Sequence, residues 1–287
     1  MRVATWVPAT WAGGIWALLC VPSFAGTPNG RTSIVPPAES LLGRVHVQVS
    51  AELLARQAVQ RIDNRVDVRD VVLGTPLHGR AHVAATARLE LLEDDDQAVF
   101  EIVLTGKADS TTTGEAPPTR IHSRSTTHFT ARKKLILDEQ GLRALPATCS
   151  AEAHSTIESV SSSLPGLRGR ISRRVAWRRA QDQRAAAERV SARHCEQTIC
   201  RNFDADIAHE VRVANSWLAE HLKSSLAARD RSKVLPQFKT SPDHLRVTGL
   251  TADLAELAAV GQTLESSDIA VRLVLEGDHL VFALGVR

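Results

Sequence analysis

Between Thr75 and Leu92 the chain reads TPLHGRAHVAATARLELL. Every second residue is apolar or small: Leu77, Gly79, Ala81, Val83, Ala85, Ala87, Leu89 and Leu91. Between them stand mainly His, Arg, Thr and Glu. A strand sorts such a list onto two faces because its side chains alternate with a period of two. The run therefore predicts a long strand with one buried and one wet face. After the acidic turn EDDDQ, AVFEIVLTGKAD repeats the pattern with Ala98, Phe100, Ile102, Leu104, Gly106 and Ala108 inward. Centring the hairpin between Asp94 and Asp95 pairs Leu89 with Phe100 and Ala87 with Ile102. The other face then pairs Arg88 with Glu101 and Arg80 with Asp109, so both faces match in one register.

STTTGEAPP reads as a second turn, and RIHSRSTTHFTAR follows as a third strand. Its basic and imidazole residues, Arg120 to Arg132 at even positions, fall on one side, with Glu101 expected near His128 and Asp109 near Arg120. That cationic row reads as the solvated surface of the sheet. Ile121 to Ala131, with Phe129, form the inner side. DEQG marks another reversal, and ATCSAEAHSTIESV continues as a long strand.

Upstream, LGRVHVQV alternates with Val45, Val47 and Val49 inward, and Ser50 can cap a short helix, AELLARQAVQRI, with Leu54, Ala58 and Ile62 on one stripe. RVDVRDVVL reads as another strand. Downstream, Gly169 is the last Gly or Pro before Pro236. Cys195, Ile199, Phe203, Ile207, Val211, Ala214, Leu218 and Leu222 recur at steps of three and four, the apolar face of a long helix with a break expected near Asn202. The small inward residues of the sheet leave room for that helix. Past Pro236 come HLRVTGL, a helix-like LTADLAELAAV, and a hairpin whose Gly277–Asp278 turn pairs Leu275 with Leu280 and Leu273 with Phe282. The expected class is α+β: a long-stranded antiparallel meander packed on a long amphipathic helix (41–230), with a small C-terminal hairpin unit (231–287).

The first 25 residues differ from the rest. Arg2 is followed by the apolar VPATWAGGIWALLCV, and Ser23 and Ala25 stand where signal peptidase accepts small residues. This predicts a signal peptide cleaved after Ala25, export to the periplasm or cell envelope, and a linker over 26–40. No later run is long and apolar enough to span a bilayer as a helix. The exported chain keeps Cys149, Cys195 and Cys200. On one helix Cys195 and Cys200 diverge by about 140° and cannot bond to each other. Cys149 paired with Cys195 or with Cys200, or three buried thiols, are both open.

Chemical motifs are few. His78 and His82 share a face but stand about 13 Å apart on a strand, too far for one ion. HEVRV at His209 has Val213 where a metalloprotease needs its second histidine, and a lone Asp206/His209 step falls short of a di-iron set. His194 and Cys195 are adjacent and diverge by about 100° on a helix, which prevents a direct thiolate–imidazole dyad. GxSxG, SxxK, GxxxxGK and GxGxxG are absent. No catalytic, metal or cofactor residues are therefore assigned.

The charge of the whole chain is near balance, +3, but it is uneven. From Arg168 to Arg193 there are nine Arg against Asp182 and Glu188. Such a run suits an anionic envelope partner, lipid or glycan, with Arg173, Arg174, Arg178 and Arg179 as candidate contacts, or else a solvated helix face. Export and the lack of interleaved aromatics other than Trp177 argue against nucleic acid.

VVLGTPLHGRAH, STTHFTARKKLILDEQGLRALPATCSA and GLRGRISRRVAWRRA together resemble a group of exported proteins from planctomycete-type bacteria to which no activity is assigned. The resemblance spans roughly 41–230 and implies export and a shared architecture, with no site residues to transfer. At the level of fold, a curved sheet wrapping a helix also resembles lipid-binding tubular (TULIP-type) domains. The expected function is a non-enzymatic, exported structural or binding module. The alternatives are a carrier of a lipid or other apolar ligand held among Phe100, Ile102, Leu104, Phe129, Ile199, Phe203 and Ile207, and a hydrolase with dispersed catalytic residues.

Overall fold

The computed structural model describes residues 42–227, 236–253, 269–276 and 279–286. The expected signal peptide with its cleavage point after Ala25, the linker, and the helix-like run beyond Asp253 lie outside the described residues.

The main sheet is an antiparallel meander of β2 (Gln60–Val72), β3 (Thr75–Leu92), β4 (Ala98–Ala116), β5 (Thr119–Asp138) and β6 (Gly141–Ala144). A further strand, β7 (Thr148–Ser162), also pairs with β5. β6 takes the last four residues of β5 and β7 takes Thr119 to Arg132, so the two share one edge. Leu73 and Gly74 both have positive φ, 50° and 77°, which suits a two-residue type I′ turn between β2 and β3.

The faces of the long strands are as the alternation predicts, but two registers differ. Leu89 faces Ile102, and Leu91 faces Phe100. Arg88 therefore lies opposite Val103, and Asp109 opposite His82. The cause is the Asp94 carboxylate, which accepts from the backbone N–H of Asp96 (3.1 Å) and Gln97 (3.0 Å) and moves the turn one residue along. The β4–β5 pairing is displaced further. Glu101 faces Lys134, His128 faces Lys107, and Arg120 faces Glu115. The expected loop STTTGEAPP is mostly strand, because β-branched threonines favour the pleat and only Pro117 and Pro118 turn the chain. Both displacements are even numbers of residues, so no side chain changes face.

The sheet curls around its inner face. Following the ladder across the sheet from Asp70 leads through Leu77, Gly114 and Ile121 to Val160. A closing sheet must be sheared in this way, so that its two edges meet at different ladder positions. Close approach at the bend requires Gly106: a Cβ there would lie 2.5 Å from the Ala85 Cβ and 2.7 Å from the Phe129 ring.

Helix α1 (Ala51–Ala58) is capped by Ser50, whose hydroxyl accepts from Leu53 N at 3.2 Å. It ends earlier than expected. Ile62 is buried on β2 instead, where the alternation from Gln60 onward outweighs the helical stripe. Helix α2 (Gly166–Ala227) is one continuous helix of 62 residues, with no break at Asn202. It carries no Gly or Pro past Gly169, and the buried stripe Ile199, Phe203 and Ile207 runs straight through that point.

The second sheet has the order β10 (Ile269–Glu276), β11 (His279–Val286), β1 (Leu42–Ser50), β9 (His244–Asp253), β8 (Gln237–Thr240). β1 lies between β9, antiparallel to it, and β11, parallel to it. The β10–β11 register pairs Leu275 with Leu280 and Leu273 with Phe282, as expected. Leu250 to Asp253, expected to begin a helix, extend β9 alongside β1. Thr240 joins the two sheets. Its backbone bonds Asp94 in both directions (2.9 and 3.1 Å), while its hydroxyl donates to Leu92 O (2.6 Å) and accepts from Val99 N (3.0 Å).

Candidate functional site

The second half of α2 is fastened to β7, the strand whose far edge is covered by no other strand among the described residues. Glu188 accepts from Ser155 N (2.7 Å) and its hydroxyl (3.0 Å), Glu196 from Ala151 N (2.9 Å), and Asp204 from Ala147 N (3.0 Å). Between Glu196 and Asp204, Cys200 is joined to Cys149 by a disulfide. These acids recur every eight residues, a rise of about 12 Å, against about 13 Å for the four strand residues between successive amides. A helix with carboxylates at that spacing therefore satisfies the open edge of a strand and shields it from other chains. Asn215 does the same for the β5–β6 turn: its amide accepts from Leu142 N and donates to Leu142 O, both at 2.7 Å.

The other partners of α2 are ionic and apolar. The Asp204 carboxylate also pairs with Lys133, an inner-face lysine 4% exposed that donates to Leu145 O at 2.8 Å as well. Across the curl, His194 Nδ1 lies 3.0 Å from both oxygens of Asp70 on β2, so the helix bridges the two edges of the sheet. Adjacent Cys195 turns away from this pair. Burial, reinforced by Glu196, pushes its thiol up to about 11, which leaves it a protonated thiol at neutral pH.

The candidate apolar-ligand residues converge, but on one another. Phe100, Ile102, Leu104, Phe129, Ile199, Phe203 and Ile207 are all buried and belong to a single hydrophobic cluster, so the helix itself fills the sheet's inner face. Beside this stripe run Asn202, Asp206 and Glu210. Asn202 Nδ2, Asp206 Oδ2 and Glu210 Oε2 are buried atoms without a hydrogen-bond partner among the described residues. Burial raises the pKa of both carboxyls, partly offset by His209.

The first third of α2 is different. All the anchors just described sit at Glu188 or beyond, and from Leu167 to Arg179 one side of the helix is bare. Arg173, Arg174, Arg178 and Arg179 are all exposed, and none has an ion-pair partner among the described residues. They do not share one face. At 100° per residue, Arg174 and Arg178 lie together, whereas Arg173 and Arg179 each stand about 100° away on opposite sides. Arg174 and Arg178 are drawn instead to a feature that the sequence reading passed over. Leu167 (74% exposed), Ile171 (64%) and Val175 (62%) form a surface stripe beside them. The i, i+4, i+8 spacing was legible, but only the fold shows that no described element covers it.

On the outer face of the main sheet, the ladder row Asp63, Ala84, Lys107, His128 and Glu152 crosses an open trough of about 930 Å³. Its charges are of both signs. The cationic row of β5 is likewise answered, by Arg120–Glu115 (3.7 Å), Arg124–Glu158 (3.1 Å) and Arg132–Glu101 (2.6 Å). No group of three or more His, Cys, Asp or Glu suited to holding a metal ion occurs among the described residues. No described helix is long and apolar enough to cross a membrane.

The architecture is thus that of an α+β protein, a curled antiparallel sheet packed on a long helix and joined to a smaller sheet. No family model, curated protein or solved structure matches the chain.

Proposed function

We propose that the chain is an exported, non-enzymatic binding module of the cell envelope, and that its binding element is the first third of α2. One observation carries this reading: six arginines, Arg168 to Arg179, with no acid among them, sit on a helical segment whose remainder is fastened to the sheet. A rigid helix holding a cationic segment away from its own carboxylates is suited to an anionic partner, and envelope lipids and glycans supply such anions. The leader-like first 25 residues and the resemblance to exported planctomycete-type proteins support the location.

The test is fractionation of the protein from an exporting bacterial host. The expected result is a mature N-terminus at Gly26, with sedimentation on envelope fragments that salt releases and that Arg173→Gln, Arg174→Gln, Arg178→Gln and Arg179→Gln together abolish. An unprocessed cytoplasmic product, or a quadruple variant that sediments like the parent, overturns the reading.

A further inference from the structure

We infer that the bare side of α2 from Leu167 to Arg179 docks on an anionic lipid bilayer, with Leu167, Ile171 and Val175 entering the acyl boundary and the flanking arginines at the headgroup phosphates. The inference rests on the envelope-module reading and selects lipid from the anions that reading allows.

Arginines alone do not account for the exposed aliphatic stripe beside them. A glycan or other soluble polyanion is met by charge, and three large aliphatic side chains at 62–74% exposure add nothing to that contact. A bilayer surface rewards both groups at once, phosphate for the guanidinium and hydrocarbon for the aliphatic stripe. The stripe spans about 80° of the helix circumference. Arg174 borders it on one side and Arg168 and Arg179 on the other, while Arg178 stands in line with the stripe just beyond Val175; their long stems can lie along the apolar surface while the heads reach phosphate. The opposite side of the segment is made of the small residues Gly169, Ser172, Ala176 and Ala180, which are buried or half-buried, whereas the stripe is exposed. Trp177 is 40% exposed beside Arg173 and Arg174, a position suited to the headgroup zone.

Charge also decides between occupants. A second copy seated on the stripe would bring six arginines against six with no carboxylate in the segment to answer them. An anionic bilayer has the complementary sign.

The experiment uses the exported protein with vesicles of phosphatidylglycerol and phosphatidylcholine, vesicles of phosphatidylcholine alone, and inorganic polyphosphate as a soluble polyanion. Two variants are compared with the parent: Leu167→Ser/Ile171→Ser/Val175→Ser, and Arg168→Gln/Arg174→Gln/Arg178→Gln/Arg179→Gln. All seven positions are exposed, and retained helix content with an intact Cys149–Cys200 bond verifies the fold in each. The parent is expected to float with the anionic vesicles at low salt and far less with phosphatidylcholine alone. At roughly five-fold per near-surface charge, the arginine variant should lose on the order of a hundredfold or more of that partition. The serine variant should lose about tenfold or more of vesicle binding while keeping any affinity for polyphosphate. Polyphosphate binding without vesicle binding, or a serine variant that floats like the parent, overturns the lipid inference and leaves the anion-binding module standing. A parent that binds neither probe overturns both. A concentration-dependent dimer that the serine substitutions abolish, with no flotation, assigns the stripe to a second copy and likewise overturns the inference.

Discussion

Asp206 and Glu210 have raised pKa values because burial, not a neighbouring charge, dominates their surroundings. A raised carboxyl binds protons more tightly in the folded protein than in the unfolded chain. Stability is therefore lost as pH rises from the ordinary carboxyl range through the folded-state values, and regained on acidification. Replacing them with Asn and Gln should increase stability near neutral pH, and the gain over the parent should vanish on acidification below the ordinary carboxyl range, where the parent's carboxyls are protonated in both folded and unfolded states. Urea unfolding at several pH values reads this, and a gain that grows on acidification would contradict it. Lys133 has the opposite character, a buried cation held by Asp204 and the Leu145 carbonyl. Its alternation phase was readable in KKLILD, since it shares the face of Ala131 and Leu135, but Asp204 lies 71 residues away and no local pattern links them.

At the scale of elements, α2 does two things at different points along its length. Beyond Glu188 it completes a sheet: carboxylates cap β7, an amide side chain caps the β5–β6 turn, and the apolar stripe fills the core. From Leu167 to Arg179 it presents a surface whose arginines have no ion-pair partner among the described residues. The Cys149–Cys200 bond fastens the helix to β7 within the first of these regions, and it closes a loop with a sequence separation of 51. Loop-closure entropy for that length is worth about 4 kcal/mol. The double variant Cys149→Ser/Cys200→Ser should lower the urea midpoint accordingly, and the parent under reducing conditions should unfold at a similar midpoint. A Cys195→Ala control, which breaks no covalent bond, should lower the midpoint far less. Sequence reasoning left open three buried thiols or a bond from Cys149 to one of two helical cysteines. The helix's orientation chose between them, because Cys200 lies on the β7 side with Glu196 and Asp204, whereas Cys195 belongs to the stripe facing the core.

For the whole molecule, the joint at Thr240 is the critical short contact, where a four-residue edge strand is bound through one backbone exchange and one hydroxyl to the β3–β4 turn. Thr240→Val keeps the shape and removes the hydroxyl, leaving Val99 N–H and Leu92 C=O without that partner in a site 4% exposed. Such a loss typically costs about 1–3 kcal/mol. Hydrogen exchange at the Val99 amide should accelerate, while amides of β7 and of the β5 stretch it pairs with, Thr119 to Arg132, should keep their protection. Uniform acceleration across both strands would mean that the joint is no separate unit of stability.

What the chain's own order of residues decided is everything with a short period. Alternation over tens of residues set which side of each long strand faces inward, steps of three and four placed the buried stripe of the helix, and turn chemistry located the hairpins. Faces survived even where registers did not, because every displacement was by an even number of residues. Tertiary structure alone decided the rest: the parallel seat of β1 beside β11, the shear that brings Asp70 to His194, the β7 edge that Glu188, Glu196 and Asp204 close, and the exposure of Leu167, Ile171 and Val175. The physical reason is the range of the interactions. Side-chain direction follows from local backbone geometry and is written in neighbouring residues. Whether an apolar stripe is core or surface depends on what chain lies opposite, often a hundred residues away, and that is settled only when the fold closes.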